Sequence, residues 1–212
     1  MKPEHRFHSY VTAATVLVMF YFIKHVVPLL TVSPVVDEFL KPVVSFIASV
    51  GTYKLLAGLL LTIAKRWKWV KRFILGASYM NGTWIGRFQT GSGETIHTVE
   101  HFEQTISSLK IRGQAFNSSG SSYAYWNSVS ETIDEVSGLL SYTYNCDKNS
   151  EKGSFQGVGV FHFERSDESC APSKIRGYSA DLVDGTRTEN RERKVSEDLI
   201  SFEEALLEAR SA

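Results

Sequence analysis

The chain has no GxxxxGK[ST] phosphate loop, no HExxH zinc helix and no GxSxG nucleophile turn. The local signatures of nucleotide hydrolysis, zinc proteolysis and acyl transfer are therefore missing. Cysteine is scarce too: Cys146 and Cys170 are the only two, and neither stands in a metal-spaced set with other Cys or His residues. No enzymatic activity, metal or cofactor is expected. Acidic residues are absent from two long apolar runs, Tyr10–Val32 and Val43–Ala64. These runs dominate the first third of the sequence.

A helix over the second run rises about 33 Å at about 1.5 Å per residue, enough for a hydrocarbon core about 30 Å thick. The two runs read as a hairpin of transmembrane helices, 10–32 and 43–64, joined by a loop at 33–42. A signal peptide is the alternative for the first run, but no small-residue cleavage site follows Ile23; Lys24, His25 and Pro28 come instead. A signal anchor or a buried helical pair are the other options. Lys2 and Arg6 precede the first run and five Lys/Arg lie between Lys65 and Arg72, whereas the loop has only Lys41. Basic flanks stay cytoplasmic, so residues 1–9 and the carboxyl terminus are expected on the cytoplasmic side and the loop on the other side. Trp67 and Trp69 suit the headgroup boundary, and 65–78 reads as a basic juxtamembrane linker. Lys54 falls near mid-span with no acid in either run to pair it. A charge there is costly, and a single hairpin encloses no cavity, so hairpins are expected to associate. Gly51 and Gly58 are small enough to let helices approach.

The formal charge is zero overall but unevenly divided: residues 1–72 carry 10 Lys/Arg against 3 Asp/Glu, and the remainder 13 against 20. An acidic soluble part argues against a binder of DNA or RNA polymers, which need a basic face. On the cytoplasmic side both cysteines are expected to stay reduced.

From Tyr79 the sequence is β-patterned, with runs at 80–90, 95–116, 121–133, 138–146, 154–164, 173–182 and 185–195 separated by turn clusters. The apolar parity changes within 95–116, giving one bent strand or two strands with a tight corner. The fold class is thus a membrane α-helical hairpin plus an all-β unit at 79–195, a seven- or eight-stranded antiparallel meander closing into a barrel. Ser196 is placed to cap a C-terminal helix over 196–212, with Leu199, Phe202, Leu206 and Ala209 as its apolar stripe.

An eight-stranded barrel fills with side chains or holds one small ligand. Aromatic planes with guanidinium and hydroxyl donors suit a base joined to phosphates. The candidate ligand-binding residues are Trp84, Arg87, Gln104, Thr105, Arg112, Tyr125, Tyr142, Tyr144, Arg176 and Tyr178, which strand parity prevents from all pointing inwards. On one face of the first strand lie Trp84, Gly86 and Phe88.

Two spans, a basic run and Asn81-Gly82-Thr83-Trp84-Ile85-Gly86 together resemble the two-transmembrane β-barrel effectors of bacterial CBASS antiphage systems, the SMODS-associated two-transmembrane β-strand-rich family. Phe102-Glu103-Gln104-Thr105, Ser107–Ile111, Asn117–Ser122, Tyr142 with Tyr144, and Ile175-Arg176-Gly177-Tyr178 before Asp184-Gly185-Thr186 extend the likeness. The resemblance implies a lipocalin-like barrel that binds a cyclic dinucleotide, followed by self-association and disruption of the inner membrane. Gly82-x-Trp84 also resembles the lipocalin element in which tryptophan closes one barrel end. The last run, 186–195, departs from the pattern in its charge. Two other readings are a membrane-anchored carrier or sensor of an apolar ligand and a scaffold subunit. An open interior with convergent Arg and hydroxyl groups favours nucleotide, an apolar lumen favours lipid, and a filled barrel favours the scaffold.

Overall fold

A computed structural model describes residues 3–30, 34–149 and 153–211, with the side chains of 30 and 34–40 left aside. The expected ends of the first span at Val32 and of the tail helix at Ala212, and residues Lys2 and Ser150, lie outside the described residues. The chain divides into two compact units, Met1–Ile74 and Leu75–Ala212.

The first unit is helical: α1 (Pro3–His25), a 3-10 turn (Val27–Leu30), α2 (Pro34–Arg66) and α3 (Lys68–Leu75). Segments Pro3–Leu29 and Lys41–Arg66 are long and apolar enough to cross a membrane. In α1 the residues Phe7, Val11, Thr15 and Met19 are buried, a spacing of four that forms a single stripe. Contacts to α2 include Thr52 Oγ1 to Met19 Sδ at 3.9 Å and His8 Nδ1 to Tyr53 OH at 2.5 Å. Most other apolar side chains of this unit face outwards, among them Leu17, Phe20, Phe46, Ile47 and Leu55. An apolar surface of that extent is stable only against lipid or protein.

Two expected boundaries differ. The segment read as a loop, 33–42, is helical from Pro34 onward, because proline is tolerated in the first helical turn. The segment read as a linker, 65–78, is mostly helical: α2 runs to Arg66, α3 spans Lys68–Leu75 and a 3-10 turn covers Gly76–Ser78. Trp67 and Trp69 stack there at 5.9 Å.

The second unit is a closed barrel of eight antiparallel strands in sequential order, β1 (Gly82–Gln89), β2 (Thr95–Gln104), β3 (Leu109–Phe116), β4 (Ser122–Asp134), β5 (Leu139–Lys148), β6 (Ser154–Glu164), β7 (Lys174–Asp181) and β8 (Arg187–Ser196), with β8 paired back to β1. The long run 95–116 is two strands. Thr105 makes the corner, its hydroxyl accepting from the backbone N–H of Ser107 and Ser108 at 3.3 and 3.0 Å.

Despite its charge, β8 pairs with both neighbours. Alternation resolves the conflict: Glu189 and Arg191 are exposed, whereas Asn190 and Glu192 are buried. The barrel's inner wall is therefore polar along this strand.

The barrel end at the start of β1 is packed shut. Trp84 is fully buried, stacks on Phe102 at 5.2 Å and donates from Nε1 to the Met80 carbonyl at 2.9 Å. Lys194 Nζ lies 5.1 Å from the Trp84 ring centre. Gly82 has φ +132°, and a side chain there would strike the Ser196 carbonyl; only glycine fits.

The tail helix α4 (Phe202–Ser211) starts later than expected. Its cap is Ser201, whose Oγ accepts from Glu204 N–H at 3.2 Å; Ser196 instead accepts from Asp198 N–H at 2.9 Å. Leu199 is exposed and drops out of the apolar stripe, while Ala205, Leu206 and Ala209 pack with Ile85, Val99 and Phe116 on the barrel's outer face.

Candidate functional site

The opposite end of the barrel holds a cavity of about 620 Å³. It opens among the β1–β2, β5–β6 and β7–β8 turns, where Phe88–Gly91, Lys148, Phe155 and Asp184–Glu189 form the mouth. Deeper in, Trp126, Tyr142, Tyr144 and Phe161 form aromatic walls and Thr98, Glu100, Ser179 and Asn190 supply polar groups.

The rings lie against glycine. Trp126 pairs with Gly113, Tyr142 with Gly159, Tyr144 with Gly157 and Phe161 with Gly177 across neighbouring strands. At Gly113, Gly157 and Gly159 a Cβ would fall on the partner's ring. Large rings lie flat across the wall because their neighbours lack side chains, and this leaves the barrel centre open.

One carboxyl group, Glu100, lies at the base of the cavity, and a second, Glu192, lies beside it outside the lining. Glu100 Oε1 accepts from Trp126 Nε1 at 2.9 Å and from the Tyr142 hydroxyl at 3.3 Å. Glu192 Oε1 accepts from Asn190 Nδ2 at 2.8 Å. Both acids are buried. Burial pushes Glu100 up to about 7, and burial with the neighbouring Glu100 holds Glu192 well above the usual carboxylate range. Two carboxylates this close cannot both ionise, so the pair retains a proton near neutrality. Burial likewise raises Tyr144 to about 12 and the Cys146 thiol to about 11. Cys146 is therefore a protonated wall residue and no nucleophile. Both cysteines are free, and among the described residues no His, Cys, Asp and Glu cluster is arranged for a metal.

Of the ten residues put forward from sequence, the structure brings Tyr142 and Tyr144 to the cavity. Trp84 points inwards but belongs to the closed end. Gln104 is structural there, accepting from Met80 N–H at 2.7 Å and donating to the Ser78 carbonyl at 2.8 Å, and Thr105 is in the corner. Arg87, Arg112, Tyr125, Arg176 and Tyr178 lie on the outer wall. Arg112 pairs with Glu103, Arg176 lies 3.8 Å from Glu164, and Tyr178 is covered by the Arg187 guanidinium at 3.7 Å. The cause is strand phase: Ile175 and Phe161 face in, so Arg176 faces out. Lys54 is exposed on α2, and side chains built at Gly51 and Gly58 would meet nothing.

The sequence reading missed Thr98, Glu100, Lys148 and Asn190 in the lining and Glu192 beside it. One signal was available: Tyr142-x-Tyr144 followed by Gly157-x-Gly159, alternating bulk against alternating glycine on consecutive strands, which marks both as inward.

No family model and no curated protein matches this chain. Among solved structures, it is similar to a de novo designed fluorescence-activating β-barrel, at 19% identity and TM-score 0.36, over 56% of this chain and 95% of that one. It is also similar to a redesigned β-barrel solved bound to DFHBI, at 19% identity and TM-score 0.38, over 56% of this chain and 97% of that one.

Proposed function

We propose that this chain is a membrane-anchored effector of antiphage defence whose barrel cavity binds a cyclic dinucleotide and whose hairpins assemble in the inner membrane in response. The observation that carries the reading is an open barrel cavity of about 620 Å³, aromatic-walled and polar at its base, in a chain that also holds two apolar helices. Trp126, Tyr142 and Tyr144 offer planes for bases. Lys148 lines the mouth and is placed to meet a phosphate, whereas the Arg187 guanidinium is turned onto Tyr178 of the outer wall at 3.7 Å. Arg87, Arg112 and Arg176 leave the ligand set because they face outwards. The polar base counts against an apolar cargo, and the open volume counts against a barrel that serves only as a scaffold.

The topology carried into this reading keeps both termini cytoplasmic, which the Lys/Arg distribution supports. Assembly through α2 is supported by its exposed face bearing Gly51, Lys54 and Gly58, where a second helix meets no side chain at either glycine. The ligand drives assembly only in so far as it binds the assembled form more tightly.

The test is binding by the barrel unit, residues 75–212. A ligand that binds only the folded state raises its melting temperature. A panel of cyclic di- and trinucleotides is expected to give one member with a clear thermal shift and a calorimetric heat. Base stacking of about 1–3 kcal/mol makes Tyr144→Ala weaken that ligand by about 5- to 150-fold. A panel with no shift and no heat defeats the reading.

A further inference from the structure

The outer wall of β1, β7 and β8 carries like charges face to face. Register sets Arg87 of β1 opposite Arg191 of β8, and Arg191 in turn opposite Arg176 of β7. In the next outward row Arg193 stands opposite Lys174. Arg87, Lys174, Arg176 and Arg191 are exposed. Like charges directly opposite each other on a sheet are destabilising, and neighbouring acids do little to offset these. Arg176 comes no nearer to Glu164 than 3.8 Å, and Arg193 turns to Glu208 of α4 at 3.2 Å. Among the described residues Arg87, Lys174 and Arg191 have no ion-pair partner. This cluster of cations sits in a part of the chain, 73–212, that carries 13 Lys/Arg against 20 Asp/Glu. Between the side chains lies a groove of about 350 Å³, lined by Arg87, Lys174, Arg191 and Arg193, with Glu164 as its exposed acid. Folding alone gives no return for such a row; an anion laid across it does.

Resting on the membrane-anchored part of the reading above, and not on its ligand, we propose that this wall docks on anionic phospholipid headgroups. The groove then admits a headgroup phosphate among Arg87, Lys174 and Arg191, where guanidinium groups make paired, charge-assisted hydrogen bonds. Features of the chain itself favour lipid over other anions. Two of its helices are long and apolar enough to cross a membrane, and β1 begins at Gly82, seven residues after α3 ends at Leu75. So short a tether keeps barrel and bilayer at high effective concentration. The segment before it has the same character: Lys65, Arg66, Lys68, Lys71 and Arg72 accompany exposed Trp67, Trp69 and Phe73, a composition suited to anionic headgroups. A polyanion arriving from solution meets a unit that is acidic as a whole, whereas a tethered barrel needs one basic flank. A barrel resting on this flank keeps its cavity mouth, at the barrel's end, clear of the headgroups.

The experiment places the full chain in nanodiscs of phosphatidylcholine, alone or with about 30% phosphatidylglycerol to give a negative surface. Modification of each arginine by phenylglyoxal is read by peptide mass spectrometry. In the anionic discs Arg87, Arg176 and Arg191 are expected to react at least about tenfold more slowly than in the neutral ones. The difference should vanish in about 1 M salt, where the screening length is about 3 Å. Arg112, paired with Glu103 on another part of the wall, is the internal control and should react alike in both. Arg191→Gln relieves both opposed pairs, so it should leave the melting temperature no lower and bring Arg87 and Arg176 towards their neutral-disc rates. Equal rates on this wall in the two compositions overturn the inference and leave the anchored reading intact. A chain that enters neither kind of disc overturns both. Slow reaction in both kinds that deepens with the number of chains per disc assigns the wall to a second copy, and slowing by added RNA but not by anionic lipid assigns it to nucleic acid; either result overturns the lipid assignment.

Discussion

Glu100→Gln is expected to stabilise the barrel at pH 8 and to lessen the fall of its stability between pH 5 and 8, the buried Glu192 still contributing a slope of its own. The wild-type carboxyl is raised from 4.5 to about 7 by burial. Across that interval the folded chain keeps a proton that the unfolded chain has lost, so the free energy of unfolding falls as pH rises. The slope is up to about 1.4 kcal/mol per pH unit for one proton. Below pH 4.5 both states are protonated and the effect vanishes; above the folded value the penalty is constant. Glutamine still accepts from Trp126 and Tyr142 and carries no charge towards Glu192, so the variant should gain on the order of 2 kcal/mol at pH 8 and little at pH 5. Urea unfolding at the two pH values measures this. Parallel pH profiles for variant and wild type would mean that the two acids do not share a buried site.

Gly113→Val is expected to have the larger structural effect, in the opposite direction. The Trp126 indole occupies the space where a Cβ at 113 would stand, so the ring must leave the wall. Overpacking costs about 1–3 kcal/mol, and Trp126 Nε1 loses Glu100, which leaves a buried acid short of a donor for about 1–3 kcal/mol more. The same displacement removes a stacking plane, so binding and stability should fall together. Gly91→Ala at the mouth, where a Cβ meets nothing, is the control and should move the melting temperature very little. Equal behaviour of the two variants would contradict the ring-on-glycine construction of the cavity.

The fold was legible in sequence where contrast was strong. Apolar runs of span length, turn clusters between β-patterned runs and the Trp84–Phe88 face each carry an amphipathic or length signal. Where both faces of a strand are polar, period-2 alternation gives parity without phase, and β8 is such a strand: nothing local says that Asn190 and Glu192 go in while Arg191 and Arg193 go out. That phase is set by pairing with β1 and β7, contacts about 100 residues away for β1. The expectation of convergent arginines failed for the same reason, since β3 and β7 point Arg112 and Arg176 away from the lumen. Buried acids at the cavity base run against the usual placement of Glu, so a search for ligand-binding donors passed over them. Helix ends were misplaced at Pro34 and Ser201, where one turn of capping chemistry decides the boundary and a more N-terminal serine competes for the role.

Ligand-dependent leakage of reconstituted full-length protein tests the central claim most directly. In dye-filled vesicles, the activating cyclic dinucleotide should release dye from the full chain, while the barrel unit alone binds the same ligand and releases none. Lys54→Leu should change the extent of release and shift the full chain's apparent ligand affinity only through the coupling to assembly, because Lys54 belongs to the helical unit and not to the barrel unit. Dye release by the full chain without ligand, or ligand-saturated full-length protein that leaves vesicles sealed, would contradict the account.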